Sequence, residues 1–124
     1  MTSVTRRVRW EAAHFLPFPN VGKCSRVHGH SWSAEVEISG PIKTAGPDAG
    51  MIVDMGDVGR YFRDELEDGL DHRLLNDTLP AEYLPPTTEN VARYLFDAFV
   101  AGGFGVVSVM VRETENQTAT VRAA

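Results

Sequence analysis

The sequence predicts one α+β domain, a four-stranded and mostly antiparallel sheet with two helices packed on one face. Three observations lead to this prediction. Two segments near the N-terminus and two near the C-terminus have the alternating or apolar pattern of strands. Two segments between them carry apolar residues at helical spacing. The length of 124 residues is that of a single domain, so we expect it to span residues 1–124.

The first two predicted strands cover residues 4–13 and 30–39, and Gly40-Pro41 ends the second. Their apolar residues share one parity, and on these strands they are Val4, Val8, Trp10, Ala12, Trp32, Ala34, Val36 and Ile38. Residues 15–29 contain prolines and glycines and are predicted to form a long loop. Long loops in compact domains are usually functional.

The two predicted helices begin at good N-cap residues. Asp54 caps a helix whose residues at helical spacing are Val58, Tyr61, Phe62, Glu65, Leu66 and Leu70. Residues 71–86 are predicted to be irregular. Thr87 or Thr88 caps the second helix, whose apolar face is Val91, Ala92, Leu95, Phe96 and Phe99. Residues 105–113 and 118–122 are the last two strands, joined by a turn at 115–117. The resulting sheet has two open edges, and association edge to edge would cover them.

Composition excludes several classes of protein. The net charge of −5, from 12 basic and 17 acidic residues, argues against a general nucleic-acid surface but leaves room for a local basic pocket. No apolar run approaches the roughly 20 residues of a membrane helix, and no apolar signal segment begins the chain. The single cysteine, Cys24, cannot form an intramolecular disulfide and fits a reducing cytosol. We therefore expect a cytoplasmic protein.

Three of the four histidines lie at strand ends with matching parity. His14 follows the apolar parity of the first strand, and His28 and His30 lead into the second. If these strands pair antiparallel, the three imidazoles meet on one face. Three histidines with one open position are typical of a catalytic zinc site. The alternative is a polar His-Gly-His loop beside a hydrogen-bonded strand-end histidine.

Cys24 lies four residues before His28, between Lys23 and Arg26. Nearby cations stabilise a thiolate, which then acts as a base or a nucleophile. Two alternatives remain open. The thiol is a small buried core group, or it is a fourth zinc ligand that makes the metal site structural.

Three further acidic positions are candidates. Asp71 precedes His72, a pair suited to proton transfer, unless it is a helix-end histidine beside a solvated carboxylate. Glu113 shares the parity of the apolar residues before it in the last but one strand. In a pocket, its carboxylate would accept two parallel N–H bonds from a heterocycle. The alternative is that the side chain simply emerges into solvent. Glu89 follows Thr87-Thr88 at a helix start, where free backbone N–H groups are available to a ligand. The alternative is that Glu89 is an acidic residue of the first turn that only stabilises the helix.

Together these residues resemble the 6-pyruvoyltetrahydropterin synthase / 6-carboxytetrahydropterin synthase family. Six stretches in order carry the resemblance: residues 11–14, 23–31, 50–54, 70–76, 86–90 and 111–114. The resemblance implies the tunnelling fold (T-fold), trimers and hexamers built edge to edge, and an active site at a subunit interface. It implies that His14, His28 and His30 bind Zn²⁺ and that Cys24 is the base. Asp71 and His72 would come from a neighbouring subunit, and Glu113 would hold a pterin ring with backbone groups near Thr87, Thr88 and Glu89.

The resemblance also implies the substrate, 7,8-dihydroneopterin triphosphate, and two possible products. Pyruvoyl enzymes typically have five residues between the cysteine and His-Gly-His, and bacterial carboxy enzymes of the queuosine and deazapurine route have three. Ser25, Arg26 and Val27 make three here, which favours 6-carboxytetrahydropterin, acetaldehyde and triphosphate. Met51 and Met55 stand where queuosine-type members often have aromatic residues. A pyruvoyl synthase, another enzyme acting on a related pterin and a non-catalytic pterin-binding module are the alternatives.

Overall fold

The computed structural model describes the whole chain, from Met1 to Ala124. Its sheet has five strands: β1 (Ser3–His14), β2 (His28–Ser39), β3 (Arg73–Leu74), β4 (Val106–Thr114) and β5 (Gln117–Arg122). The strand order is β3-β1-β2-β4-β5, and all neighbours are antiparallel except β3 and β1. The α+β class is confirmed, but the predicted count of four strands is wrong. The extra strand, β3, has two residues, too few to show a periodic pattern.

Three helices pack on the inner face of the sheet: α1 (Met55–Tyr61), α2 (Leu75–Thr78) and α3 (Thr88–Ala101). The side chains of Asp54 and Thr87 cap α1 and α3, accepting from the N–H groups of Gly56 at 2.8 Å and Asn90 at 3.1 Å. Thr87, rather than Thr88, is therefore the cap of α3. No helix is long and apolar enough to span a membrane.

The predicted first helix does not continue as an α-helix to Leu70. After Tyr61 it widens into a π-helical turn at Phe62–Leu66 and then tightens into a 3₁₀ turn at Glu67–Gly69. The buried apolar side chains in this stretch recur every four positions: Val58, Phe62, Leu66 and Leu70. At 3.6 residues per turn this row would rotate away from the sheet, and a wider turn returns it to the core. Glu65, placed with this face by the sequence, is exposed.

The core lies between the inner sheet face and the helices. Trp10 and Trp32 stack on neighbouring strands with ring centroids 5.9 Å apart, and Leu95 and Phe99 of α3 are fully buried. The even-numbered residues from Val8 to His14 on β1 face this core, as the alternation predicts. The register pairs Trp10 with Trp32 and His14 with His28, so the same face carries the histidines.

Strand β4 departs from regular alternation at two places. Between Glu37 and Ile38 the β2–β4 register shifts, so that Val106 rather than Val107 faces the core. The apolar residues that share the parity of Glu113 are Val107, Val109 and Val111, and the prediction that all of them lie on the inner face is wrong for Val107 for this reason. A second shift, against β5, falls between Arg112 and Thr114 and leaves Glu113 at a β-bulge. Bulges bend a strand and redirect a side chain, and Glu113 turns towards the histidines.

Candidate metal centre and substrate site

The β1–β2 register brings His14, His28 and His30 together at one end of the sheet. His14 lies opposite His28, and His30 lies opposite Ala12. Ring centroids are 4.6 Å apart for His14 and His28, 5.2 Å for His14 and His30, and 4.9 Å for His28 and His30. The juxtaposition that the sequence parity suggests is therefore present in the structure.

Glu113 joins this group from β4. Its Oε1 lies 3.1 Å from His14 Nε2 and 2.8 Å from His30 Nε2. One ligand atom from each of the three histidines and Glu113 lies within 4.8 Å of the others. Sequence reasoning gave Glu113 an inward parity and a role towards a pterin, but missed its contact with the histidines. Inward parity places Glu113 on the face that carries the histidines, but its distance from them depends on the strand pairing, which the apolar pattern does not specify.

Backbone carbonyls orient two of the imidazoles. His14 Nδ1 lies 2.8 Å from the carbonyl oxygen of Pro86, and His28 Nδ1 lies 2.7 Å from that of Arg26. Because a carbonyl only accepts, each Nδ1 carries a hydrogen and each neutral ring turns the Nε2 lone pair inward. Metal-binding histidines are commonly held in this way.

These atoms fit a metal ion. The Nε2 lone pair of a neutral His14 faces the Glu113 carboxylate, an arrangement that requires a proton or a metal cation between them. His30 Nε2 is buried and has no aligned hydrogen bond, although Glu113 lies close to it. Buried polar atoms are normally satisfied, and a bound metal ion would satisfy this nitrogen. Imidazole nitrogen and carboxylate oxygen are both ligands that Zn²⁺ accepts.

The same contacts determine the charge of the site. Without a metal, the pKa of the Glu113 carboxyl is lowered to about 2, chiefly by a hydrogen bond from His14 Nε2 when that nitrogen carries a proton and further by the hydroxyl of Thr88, while burial opposes the shift. The pKa of His30 is lowered, mainly because burial disfavours the imidazolium, with Glu113 opposing this. The site therefore presents an ionised carboxylate at neutral pH and disfavours the charged form of His30, the form that cannot bind a metal.

Thr88 holds the other oxygen of Glu113. The buried Thr88 hydroxyl donates to Oε2 at 2.5 Å. The first turn of α3 therefore reaches the group formed by His14, His28, His30 and Glu113, called the metal cluster here. Thr87 serves as the helix cap. Glu89 is exposed and lines a different cleft with Thr88 and residues 116–120, away from the histidines.

Cys24 is exposed and lies in a single 3₁₀ turn, Gly22–Ser25. It lines a cleft of about 390 Å³ with Lys23, His28, His30 and Glu113, together with residues 114, 116 and 117. Its sulfur is not among the grouped ligand atoms, which come from His14, His28, His30 and Glu113. Of the sequence alternatives, a buried core thiol is wrong, and the geometry favours a thiol beside the metal cluster over a fourth ligand.

Asp71 and His72 contact each other and lie outside the Cys24 cleft. His72 Nδ1 is 2.9 Å from Asp71 Oδ2, and the Glu11 N–H donates to Asp71 Oδ1 at 2.9 Å. The Glu11 N–H is the main reason, and His72 a further one, that the pKa of Asp71 is lowered. The His72 side chain is 78% exposed and neither residue lines the Cys24 cleft. Within one chain, Asp71 instead lines a cleft of about 770 Å³ that also includes His30 and Glu113, and His72 lines one of about 580 Å³ that includes His30.

Met51 and Met55 also lie apart from the histidines. They line a separate, mainly apolar cleft of about 350 Å³ with Val4, Ile42 and Ile52. Within one chain, neither methionine contributes to the Cys24 cleft.

Known proteins share this sequence and fold. A model of the family described as "6-pyruvoyl tetrahydropterin synthase" matches residues 3–124. A protein of Synechocystis sp. named 6-carboxy-5,6,7,8-tetrahydropterin synthase is 37% identical over 92% of this chain and 88% of its own length. A protein of Archaeoglobus fulgidus, named as a putative synthase of the same kind, is 36% identical over 91% and 89%.

The fold matches solved structures as well. The 6-pyruvoyl tetrahydropterin synthase of Caenorhabditis elegans superposes with a TM-score of 0.82 over 99% of this chain and 96% of that protein, at 24% identity. The tunnelling fold implied by the sequence resemblance is thus confirmed. The chain belongs to the 6-pyruvoyl tetrahydropterin synthase family.

Proposed function

We propose that this protein is a zinc-dependent 6-carboxy-5,6,7,8-tetrahydropterin synthase. It converts 7,8-dihydroneopterin triphosphate and water into 6-carboxytetrahydropterin, acetaldehyde and triphosphate. The observation that carries the proposal is the cleft in which Cys24 lies beside His28, His30 and Glu113. A non-catalytic pterin-binding module needs the carboxylate but not a thiol next to a metal cluster.

His14, His28 and His30 hold the zinc ion, which when bound supplies a Lewis acid for the hydroxyls of the substrate side chain. Glu113 is an ionised acceptor for the N–H groups of the pterin ring, and Thr88 fixes its direction. Cys24, at the edge of the cleft, takes a proton from the substrate side chain.

The Asp71–His72 pair relays protons in the site of a neighbouring subunit. This assignment agrees with the exposed position of His72 and with the absence of both residues from the Cys24 cleft of their own chain. The protein accordingly works as a trimer or a dimer of trimers, and its lone exposed thiol suits the cytoplasm.

The carboxy product is favoured over the pyruvoyl product by the three residues between Cys24 and His28. The names of the Synechocystis and Archaeoglobus relatives support the same choice. The two reactions differ in a small product, because only the carboxy reaction cleaves the side chain and releases acetaldehyde.

The test is a product assay on the zinc-loaded protein with 7,8-dihydroneopterin triphosphate, with mass spectrometry for the pterin and a coupled assay for acetaldehyde. Cys24→Ala should lower turnover by about 10²–10⁴-fold, the usual contribution of a proton-transfer group. Its zinc content and pterin affinity should remain near those of the wild type. Ser25→Ala, in the same exposed turn, is the control and should remain active.

A 6-pyruvoyl product without acetaldehyde would replace the carboxy assignment with the pyruvoyl one. Tight pterin binding with no turnover of either kind would leave only a binding module. An active Cys24→Ala enzyme would refute the role given to the thiol and leave the metal site unaffected.

A further inference from the structure

The side chain of Asn76 pairs with the backbone of Phe15 in both directions. The Phe15 N–H donates to Asn76 Oδ1 at 2.9 Å, and Asn76 Nδ2 donates to the Phe15 carbonyl at 2.9 Å. Strand β3 pairs with β1 only at Ala12 and Ala13. The side-chain amide of Asn76 therefore hydrogen-bonds the backbone beyond His14, much as the backbone of a further β3 residue would.

Phe15 stands between the metal cluster and the thiol. It follows the buried ligand candidate His14 and precedes Leu16, whose N–H donates to the Cys24 carbonyl at 2.7 Å. One backbone step, from Phe15 to Leu16, and one hydrogen bond thus connect the residue that Asn76 holds with the residue that carries the thiol.

The segment of residues 15–27, called the cysteine loop here, has few other polar ties to the fold. Its remaining hydrogen bonds join loop residues to one another, as in Cys24 N–H to Val21 and Arg26 N–H to Lys23. Apart from the contact of His28 with the Arg26 carbonyl, the pair of bonds to Asn76 is its hydrogen-bonded anchor. An exposed loop with one such anchor takes its position largely from it.

We propose that Asn76 is a positioning residue that sets the place of Cys24 relative to the metal cluster by holding Phe15. The proposal rests on the proposed function, in which Cys24 removes a proton from the substrate. It also explains the residue type, since the position needs a donor and an acceptor at once. An aspartate of the same shape accepts from the Phe15 N–H but repels the Phe15 carbonyl.

Asn76→Asp is the principal variant because it keeps the shape and removes one of the two bonds, and Asn76→Ala removes both. Thr78→Ala is the matched control: Thr78 lies in the same short helix, its hydroxyl donates to Leu74 at 3.4 Å, and it makes no hydrogen bond to the cysteine loop. Each zinc-loaded protein is measured for kcat, KM, zinc content and amide hydrogen exchange of the peptide spanning residues 15–24.

In both Asn76 variants we expect exchange in this peptide to be about tenfold faster or more. We expect kcat to fall by about 10²-fold, since a displacement of about 1 Å in a reacting group has that effect. KM should change by less than about twofold because Glu113 and Thr88 are untouched, a split that general destabilisation does not produce. Zinc content should remain that of the wild type, and Thr78→Ala should resemble the wild type in every measurement.

Three results would overturn the proposal: unchanged exchange in Asn76→Asp, faster exchange with unchanged kcat, or an equal loss of kcat in Thr78→Ala. If Asn76→Ala does not fold, Asn76→Asp alone decides between these outcomes. A wild-type protein with no turnover of the pterin substrate would refute the proposed function, and with it the positioning role of Asn76. That failure is distinguishable because it appears before any variant is compared.

Discussion

Removing the Thr88 hydroxyl tests how the site keeps Glu113 ionised. Thr88→Val retains the shape of the side chain and deletes the donor to Glu113 Oε2. A hydrogen bond to a charged group contributes about 1.5–3 kcal/mol. Because the Glu113 side chain is 15% exposed, water replaces part of this bond. We therefore expect a loss at the lower end, about 1.5–2 kcal/mol in the metal-free protein.

The stability lost in Thr88→Val should become smaller as the pH falls, because the lost hydrogen bond acts on the ionised form of Glu113. The pKa of Glu113 is lowered from 4.5 to about 2, so its contribution to stability is complete above 4.5 and is lost as the pH falls through 2. A loss of this size raises the pKa of Glu113 by about one unit in the variant, at 1.36 kcal/mol per unit. The difference in stability between the two proteins should be constant from about pH 7 to 5 and narrow below about pH 3.5.

The assay is urea denaturation of the chelator-treated proteins across this range, with ¹³C NMR titration of the Glu113 carboxyl as a direct reading of its pKa. Thr87→Val is the control, since loss of the α3 cap should cost about 0.5–2 kcal/mol and leave the Glu113 titration unchanged. An unchanged Glu113 titration in Thr88→Val would refute the reasoning, as would a stability loss that stays the same down to pH 3.

Three further predictions concern the metal, the assembly and the backbone. His28→Ala should lose most of the roughly one zinc ion per chain found by metal analysis, whereas His72→Ala, outside the cluster, should retain it. Light scattering at micromolar concentration should give a trimer or hexamer, because most of β1 and all of β5 have an open edge; a mass of 13.7 kDa would contradict this. Gly105→Ala should destabilise the fold by about 1–3 kcal/mol in urea denaturation, because its Cβ would lie 2.7 Å from the Ser39 carbonyl, while Gly69→Ala, which meets open space, should not.

The parts of the fold in which apolar and polar residues alternate regularly along a strand were predictable from the sequence. Trp10, Ala12 and His14 share a parity with His30 and Trp32, and antiparallel pairing then brings the histidines to one face. The caps Asp54 and Thr87 were predictable for a similar reason, since capping is a local interaction of the side chain with the next turn.

The features that the sequence did not reveal depend on contacts between distant segments. The bulge at Glu113 arises from the β4–β5 pairing, and no local pattern marks it. The bond from His14 to Pro86 spans 72 positions, and that from Phe15 to Asn76 spans 61. The contact between Asp71 and His72 depends on how Glu11 holds the carboxylate, which adjacency alone does not specify.

The pairing of β1 with β2 makes assembly of the sheet and assembly of the metal cluster a single folding event. A slip of one residue in this pairing would send His28 and His30 to the outer face, together with Trp32. A residue inserted between His30 and Trp32 would send His28 and His30 to the outer face while Trp32 stays in the core, because side chains alternate strictly along a strand. The cysteine loop has no such constraint, since the cost of closing a loop grows only slowly with its length. Changes in loop length are thus a route by which the thiol is repositioned in variants of this chain while the histidine cluster is kept.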